Sequence, residues 1–275
     1  KRIIGLKYSQ IPESELQQFP CKIVQGPNDT VLIEVLYREE IVQFTAVQLL
    51  AMIFSKLAQY VEAEDISVKG CDTVIAIPVY FLDVQRRAVL QAAQIAGFNV
   101  IRLVNDVCAA AAEYGIYKDI PENSTSNIAF VDVGHADTTV SIVELKNDQV
   151  RVLANAFDRS LGARDFENIL VEHFIVEIEK QYKLDVRSNT KALMRLQKEC
   201  EKLKKILSAN PIGQLRIECL MNDRDVNLQI HRDDFEQMCK SLHSKFQIPV
   251  RAALADSKVE LKDIASVEIF GGGSY

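Results

Sequence analysis

An α/β protein is predicted by three features of the sequence. Two apolar runs, Asp72–Pro78 and Val100–Val104, are each followed by a helical pattern. Strand–helix–strand–helix order means a parallel pair with helices on its faces. Ile128–Val133, Thr138–Val143 and Val150 to about Phe157 then read as three successive strands, an antiparallel meander. Lastly, Leu193, Leu196, Cys200, Leu203 and Leu207 fall on one stripe of a helix over Thr190–Ser208.

The elements follow in order. Residues 1–46 are polar and turn-rich, with strand-like Val31–Tyr37 and Glu40–Phe44. Thr45 opens a helix in which Val47, Leu49, Leu50, Ile53, Phe54, Leu57 and Val61 recur at helical spacing. Asp72–Pro78, continuously apolar from Val74, predicts a strand buried on both faces. Asp83 is the predicted N-cap of a helix through Ala96, with Gly97 just past its end. The second buried strand ends at Asn105-Asp106, and an alanine-rich helix over Val107–Tyr114 is expected to stop at Gly115. Residues 116–127 are the expected linker, and Lys146–Gln149 the polar turn inside the meander. Gly162 and Asp165 introduce a helix to about Tyr182, and Asn210-Pro211 stops the next one. Strands over Gln214–Met221 and Asp225–Ile230 precede helices from Asp233 and about Pro249. Val267–Phe270 closes the chain as a strand feeding Gly271-Gly272-Gly273-Ser274.

With 275 residues, the chain is long enough for one large domain or two medium ones. Its 48% hydrophobic and 25% charged residues are ordinary for a globular protein. A net charge of -6 argues against a nucleic-acid partner, which would call for a basic excess. The longest apolar run, Val107–Ala112, is far too short to span a membrane, so no membrane partner is expected. Six cysteines are scattered without C-x-x-C spacing and read as reduced thiols of a cytosolic protein. Four dispersed histidines argue against a metal cluster. A start at Lys1 without methionine, and a stop just after the glycine run, read as a piece of a longer protein.

The candidate chemistry gathers at strand ends. Asp132 ends one strand and Gly134 opens the next turn, the pattern by which a carboxylate holds a hydrated metal ion and backbone N–H groups approach phosphate. Turn geometry alone also accounts for an aspartate and a glycine there. Asp106 ends another strand, where it is placed either to cap the following helix or to join a ligand site at the C-terminal sheet edge. Glu201, Lys204, Lys205 and Ser208 fall at i, i+3, i+4 and i+7, on one helix side. That side is either a solvated charged face or a sandwich of lysine stems around a flat base. Together with the glycines Gly271–Gly273, these features favour a nucleotide cleft; there is no P-loop, G-x-S-x-G or H-E-x-x-H motif.

Five stretches carry a family resemblance: Asn105–Ala111, Asp132–His135, Leu161–Phe166, Glu201–Lys205 and Phe270–Gly273. In this order they resemble the nucleotide-binding domain of the heat-shock seventy chaperone superfamily. Gly134-His135, Lys1–Gly5, Cys200–Asn210 and Met221–Val226 are similar to its large, one-hundred-and-ten-kilodalton branch. The resemblance covers essentially the whole chain. It implies the actin-like ATPase fold, with ribonuclease H-like duplicated lobes and a nucleotide cleft between them. Residues 1–118 correspond to a partial lobe I without its first strands and first phosphate hairpin. Residues 119–275 correspond to lobe II, with the adenosine-side subdomain inserted at 161–240. The implied cofactors are ATP and Mg2+.

By the same resemblance Lys1 orients the attacking water, Asp132 holds the metal through water, and Asp106 stands where ordinary members have glutamate. Gly134, His135 and Ala136 correspond to the second phosphate loop. Gly162, Glu201, Lys204, Lys205 and Ser208 correspond to adenosine contacts, and Gly271, Gly272, Gly273 and Ser274 to the closing turn. Ordinary members continue the loop Gly-Gly-Thr, where this chain has His135-Ala136-Asp137. Two Cβ atoms crowd the approach to phosphate. A hydroxyl is lost, and an added carboxylate repels a like charge 4 Å away by up to ~4 kcal/mol at a near-surface effective dielectric. Weak hydrolysis at most is therefore expected, unless Asp137 turns away or joins the magnesium shell. The implied role is nucleotide exchange on the nucleotide-binding domain of a heat-shock seventy chaperone. Unfolded polypeptide clients are a further implied partner, and the implied location is cytoplasmic, extending to the nucleus. The rival is an autonomous ATP-hydrolysing chaperone of the heat-shock seventy type. A sugar kinase or filament protein on the same fold has no supporting motif.

Overall fold

A computed structural model describes residues 1–16, 18–63, 72–118, 124–146 and 149–274. Cys71, residues 119–123 of the expected linker and residues 147–148 of the expected polar turn lie outside the described residues. The chain divides into two compact units, Lys1–Ala110 and Ala111–Tyr275.

The first unit begins with a one-turn helix α1 (Glu13–Leu16) and an antiparallel sheet β1-β2-β3 (Lys22–Gln25, Val31–Tyr37, Glu40–Thr45). β1 is only four residues long and sits in a polar stretch, so no periodicity announces it. Ile11, Ile23, Val31 and Ile33 form the core beside this sheet. Thr45 caps α2 (Ala46–Glu62) as expected. Its Oγ1 accepts from the Gln48 N–H at 3.2 Å, and the Gln48 side chain accepts from the Thr45 N–H at 2.8 Å.

β4 (Asp72–Ile77) and β5 (Asn99–Asn105) pair in parallel, as the strand–helix–strand order requires. Burial on both faces is not found. The two strands form a sheet of their own, and Ile75, Ile77 and Leu103 pack with residues of α2 and of α3 (Asp83–Ile95). Val74 and Ile101 on the pair are 54% and 60% exposed. Asp83 is the first helical residue of α3 rather than its cap; Leu82 takes that position. Its N–H donates to the Gln85 side chain at 3.2 Å, and the buried Gln85 amide in turn donates to the Ile4 carbonyl at 3.2 Å. The helix α4 (Asp106–Tyr117) runs through Gly115 instead of stopping there. Gly115 lacks the positive φ of a terminating glycine, whereas Gly97 after α3 has φ +87°.

The second unit is built on a four-stranded mixed sheet in the order β11-β6-β7-β8. β6 (Thr125–Val133), β7 (Thr138–Lys146) and β8 (Gln149–Asp158) are the predicted meander, and β11 (Ile264–Phe270) adds in parallel to β6. α8 (Gln247–Ser257) covers one face, with Ala253 packed among Ala129, Val140 and Ile142. After the meander come α5 (Ala163–Tyr182), α6 (Thr190–Ala209), the hairpin β9–β10 (Ile212–Met221, Arg224–His231) and α7 (Arg232–Lys245). Their core holds Phe174, Ile178, Leu196, Cys200, Leu203 and Leu215. The predicted stripe of α6 is thus its buried face, with Leu193 at the margin. Asn222 and Asp223 adopt φ 52° and 55°, the left-handed pair that a two-residue hairpin demands.

The five described cysteines are free thiols. Burial pushes the Cys200 thiol up to about 12, with Glu167 and Glu199 adding to the effect, and Cys239 up to about 11. At pH 8 a disulfide reagent should therefore label exposed Cys219 promptly and reach Cys200 and Cys239 only on unfolding. Labelling of Cys200 at the rate of Cys219, mapped by mass spectrometry, would show that this core opens in the native state.

Candidate functional site

Three turns of the second unit converge. Phe270 of β11 lies opposite Asp132 of β6 in parallel register, so both strands deliver their next residues to one C-terminal sheet edge. The turn after β6 is closed by the Gly134 N–H donating to the Asp137 carbonyl at 2.8 Å. The start of α5 bonds back to it: Ala163 N–H to the Gly134 carbonyl at 3.0 Å, and Arg164 N–H to the His135 carbonyl at 2.9 Å. The turn after β11 joins through the Gly273 N–H, which donates to the Val133 carbonyl at 2.8 Å. Asp165 accepts from the Gly162 N–H at 2.8 Å, and the Ser274 hydroxyl donates to the Gly271 carbonyl at 2.8 Å.

Such close backbone approach explains the glycines. A Cβ on Gly271 would lie 2.3 Å from Asp132 Oδ1, and its φ is +98°. Cβ atoms on Gly162 and Gly273 would lie 2.6 Å from the His135 and Gly134 carbonyl oxygens. Gly272 faces open space. His135 is exposed, Ala136 and Asp137 are buried, and the Asp137 carboxylate lies 3.1 Å from where a Gly134 Cβ would stand. The carboxylate is thus folded back against its own turn.

On α6 the four predicted residues divide. Lys204 is buried and pairs with Glu167 of α5 at 2.8 Å. Lys205 and Glu201 stay exposed and pair at 2.9 Å, and the Ser208 hydroxyl donates to the Lys205 carbonyl at 2.7 Å. The Lys205 hydrogen bond holds the Glu201 carboxyl below the usual carboxylate range, with smaller contributions from His135 and Lys204. Glu201 likewise raises Lys205 above the usual lysine range.

Lys204, Ser208 and Gly273 line a cavity of about 290 Å³. Sequence reasoning missed its other walls, which include Phe166, Arg232, Phe235, Glu236 and His243. The last four lie on α7, where nothing in local spacing sets them apart from an ordinary amphipathic helix. Phe166 is tilted against His243, with ring centroids 5.6 Å apart. Aromatic walls with cationic and hydroxyl groups suit a flat heterocycle carrying an anionic tail. Among the described residues no three His, Cys, Asp or Glu gather to hold a metal. A single carboxylate, Asp132, nevertheless fits a magnesium ion that keeps its waters and takes its other ligands from phosphate.

Lys1 and Asp106 belong to the first unit. Lys1 is exposed beside an apolar cavity of about 410 Å³, and Asp106 is the first residue of α4, its Oδ1 accepting from the Val107 N–H at 2.8 Å.

Residues 1–275 match the family described as Hsp70 protein. Heat shock 70 kDa protein 15 of Arabidopsis thaliana is 43% identical over 277 aligned residues, covering 100% of this chain and 33% of that protein. The 97 kDa heat shock protein of Strongylocentrotus purpuratus is 42% identical, covering 100% and 31%. Heat shock 70 kDa protein 4 of Homo sapiens is 43% identical, covering 100% and 33%. The chain spans about a third of the length of these curated relatives.

Gly271→Ala should cost at least about 2 kcal/mol in urea unfolding, from left-handed strain plus the clash with Asp132. Gly272→Ala should change stability by less than about 0.5 kcal/mol. Equal costs would mean that the turn after β11 does not pack as described.

Proposed function

The chain belongs to the Hsp70 protein family, and from that membership we propose that it is the ATP-binding part of a large heat-shock co-chaperone. The family's fold is the actin-like ATPase fold, with which the α/β architecture of mixed sheets agrees. In this reading the protein acts as nucleotide exchange factor for heat-shock seventy chaperones and holds unfolded clients elsewhere along its length. The five free thiols suit the reducing cytoplasm and nucleus, where we place it.

One observation carries the reading. The turn 134–137 keeps Gly134 and its backbone contacts but continues as His135-Ala136-Asp137, with His135 exposed and the other two buried. That combination favours binding over turnover. Asp132 holds the hydrated metal, and Gly134 and Gly271–Ser274 bring backbone toward phosphate. Glu201, Lys204, Lys205 and Ser208 contact the adenosine, with Lys204 held in the cavity wall by Glu167. Magnesium, when bound, neutralises phosphate charge. By family resemblance Lys1 is assigned the water-orienting role and Asp106 an acidic one. A ligand present at a thousandfold excess over its dissociation constant stabilises the conformation it binds by about 4 kcal/mol. Nucleotide of that strength holds one conformation, and that conformation grips the partner. The rival is an autonomous ATPase chaperone, which the retained Lys1 and Asp132 would also serve.

Mixing the full-length protein with a heat-shock seventy chaperone loaded with fluorescent ADP should accelerate ADP release in stopped flow, and only with ATP present. Asp132→Ala should weaken magnesium–ATP binding in calorimetry by about tenfold or more, as loss of a single charged ligand does. No acceleration, with steady phosphate production by the protein alone, would establish the rival.

His135→Gly, Ala136→Gly and Asp137→Thr together should raise ATP turnover in the full-length protein. An unchanged rate would show that another feature limits hydrolysis.

A further inference from the structure

The hairpin β9–β10 is a sheet of two strands, so each strand has an outer edge that no other described strand pairs. The two edges are treated differently. Along β9, Arg195 donates to the Glu218 and Cys219 carbonyls at 2.6 and 2.7 Å, covering that edge with a guanidinium. Along β10, only the first outward residue is met. The Tyr182 hydroxyl, at the end of α5, donates to the Asn227 carbonyl at 3.1 Å and accepts from the Asn227 N–H at 3.0 Å.

That contact fixes the parity of the strand. Asn227 turns both backbone groups away from β9, so in an antiparallel ladder Gln229 turns both of its groups outward and His231 its N–H, the His231 carbonyl being the N-cap acceptor of α7. A groove of about 580 Å³ lies along this edge, walled by α5 and α7. His173, Glu177 and Gln181 line it at i, i+4 and i+8 of α5, and Asp234 and Met238 at i and i+4 of α7. Its lining carries two carboxylates, Glu177 and Asp234, and no lysine or arginine among the described residues. Glu177 accepts from the neutral Gln181 amide at 3.1 Å and meets Lys180 at 3.9 Å across an exposed helix turn, a pairing too loose to neutralise it.

We propose that the β10 edge is a docking site for an extended polypeptide segment bearing basic side chains, which adds as a third strand. The Gln229 N–H and carbonyl and the His231 N–H supply the ladder, as in recognition by strand addition. Glu177 and Asp234 select lysine or arginine on the incoming segment. With Asn227 taken by Tyr182, Leu228–His231 spans about 10 Å at strand rise, enough to pair about three residues. Tyr182 marks where the ladder must end.

The test uses the full chain and a fluorescein-labelled heptapeptide of alternating threonine and valine with lysine at both ends, read by anisotropy without nucleotide. Saturable binding is expected. It should fall about tenfold or more when alternate peptide amides are N-methylated, because the ladder then loses its donors. It should fall likewise when glutamate replaces the terminal lysines. Gln229→Pro should abolish binding while leaving the fold intact, since proline is tolerated on an edge strand whose N–H faces outward. Gln229→Ala, which keeps the N–H, should bind like the parent. Absent binding, or equal binding of the N-methylated peptide, overturns the proposal. So does a dimer broken by Gln229→Pro in a protein that takes no peptide, because the edge would then serve a second copy.

Discussion

The contact on which the rest of the second unit depends is backbone against backbone, among the turn after β6, the start of α5 and the turn after β11. Four hydrogen bonds knit them: Gly134 to Asp137, Ala163 to Gly134, Arg164 to His135, and Gly273 to Val133. Each buried peptide group left unpaired costs about 1–3 kcal/mol, so each turn is stabilised by the presence of the others. Glycine is required because no side chain fits between chains this close. Gly271 must also adopt φ +98° while passing within contact of Asp132. The same constraint thus places a carboxylate, exposed backbone at Gly272 and the N-terminus of a twenty-residue helix beside one another.

α6 shows how one charged helix face divides its labour. Lys204 turns inward to Glu167, and both side chains are nearly buried. Removing one partner of such a pair costs about 3–5 kcal/mol, because the other charge is left stranded. Lys205 and Glu201, one turn apart and exposed, are worth little to stability and are correspondingly available for a ligand. The buried pair sets the height and rotation of α6 against α5; the exposed pair inherits that position.

Much of this was legible in the sequence, for reasons that differ by element. The meander, α5 and α6 were visible because each carries its own period and its own start signal, such as Gly162 with Asp165. The parallel pair β4–β5 was visible from order alone, but its burial was not. A continuous apolar run says that both faces are apolar and leaves open what covers each one, and here Val74 and Ile101 stay exposed. Gly115 misled because glycine inside a helix costs only about 1 kcal/mol against alanine, too little to end it where the flanking turns are sound. The cavity walls on α7 were invisible because they lie far from α5 and α6 in sequence and are recruited by packing. Gly162 and Gly273 were read as ligand contacts, yet the geometry gives them a prior duty in letting carbonyls pass.

The position of Asp137 alters the argument about turnover. From sequence, its added charge near phosphate slows hydrolysis unless the side chain turns away or joins the magnesium shell. In the structure the residue is 5% exposed, and its carboxylate folds back toward Gly134. For the proposed site, what distinguishes this loop is then what it lacks and what it adds in bulk. There is no hydroxyl at position 137, and side chains stand at His135 and Ala136. Exposed His135 contributes to the field at Glu201 and so links the loop to the outer face of α6. On the proposed reading such a loop grips a nucleotide along its length, and the chemistry it gives up is the positioning of a water.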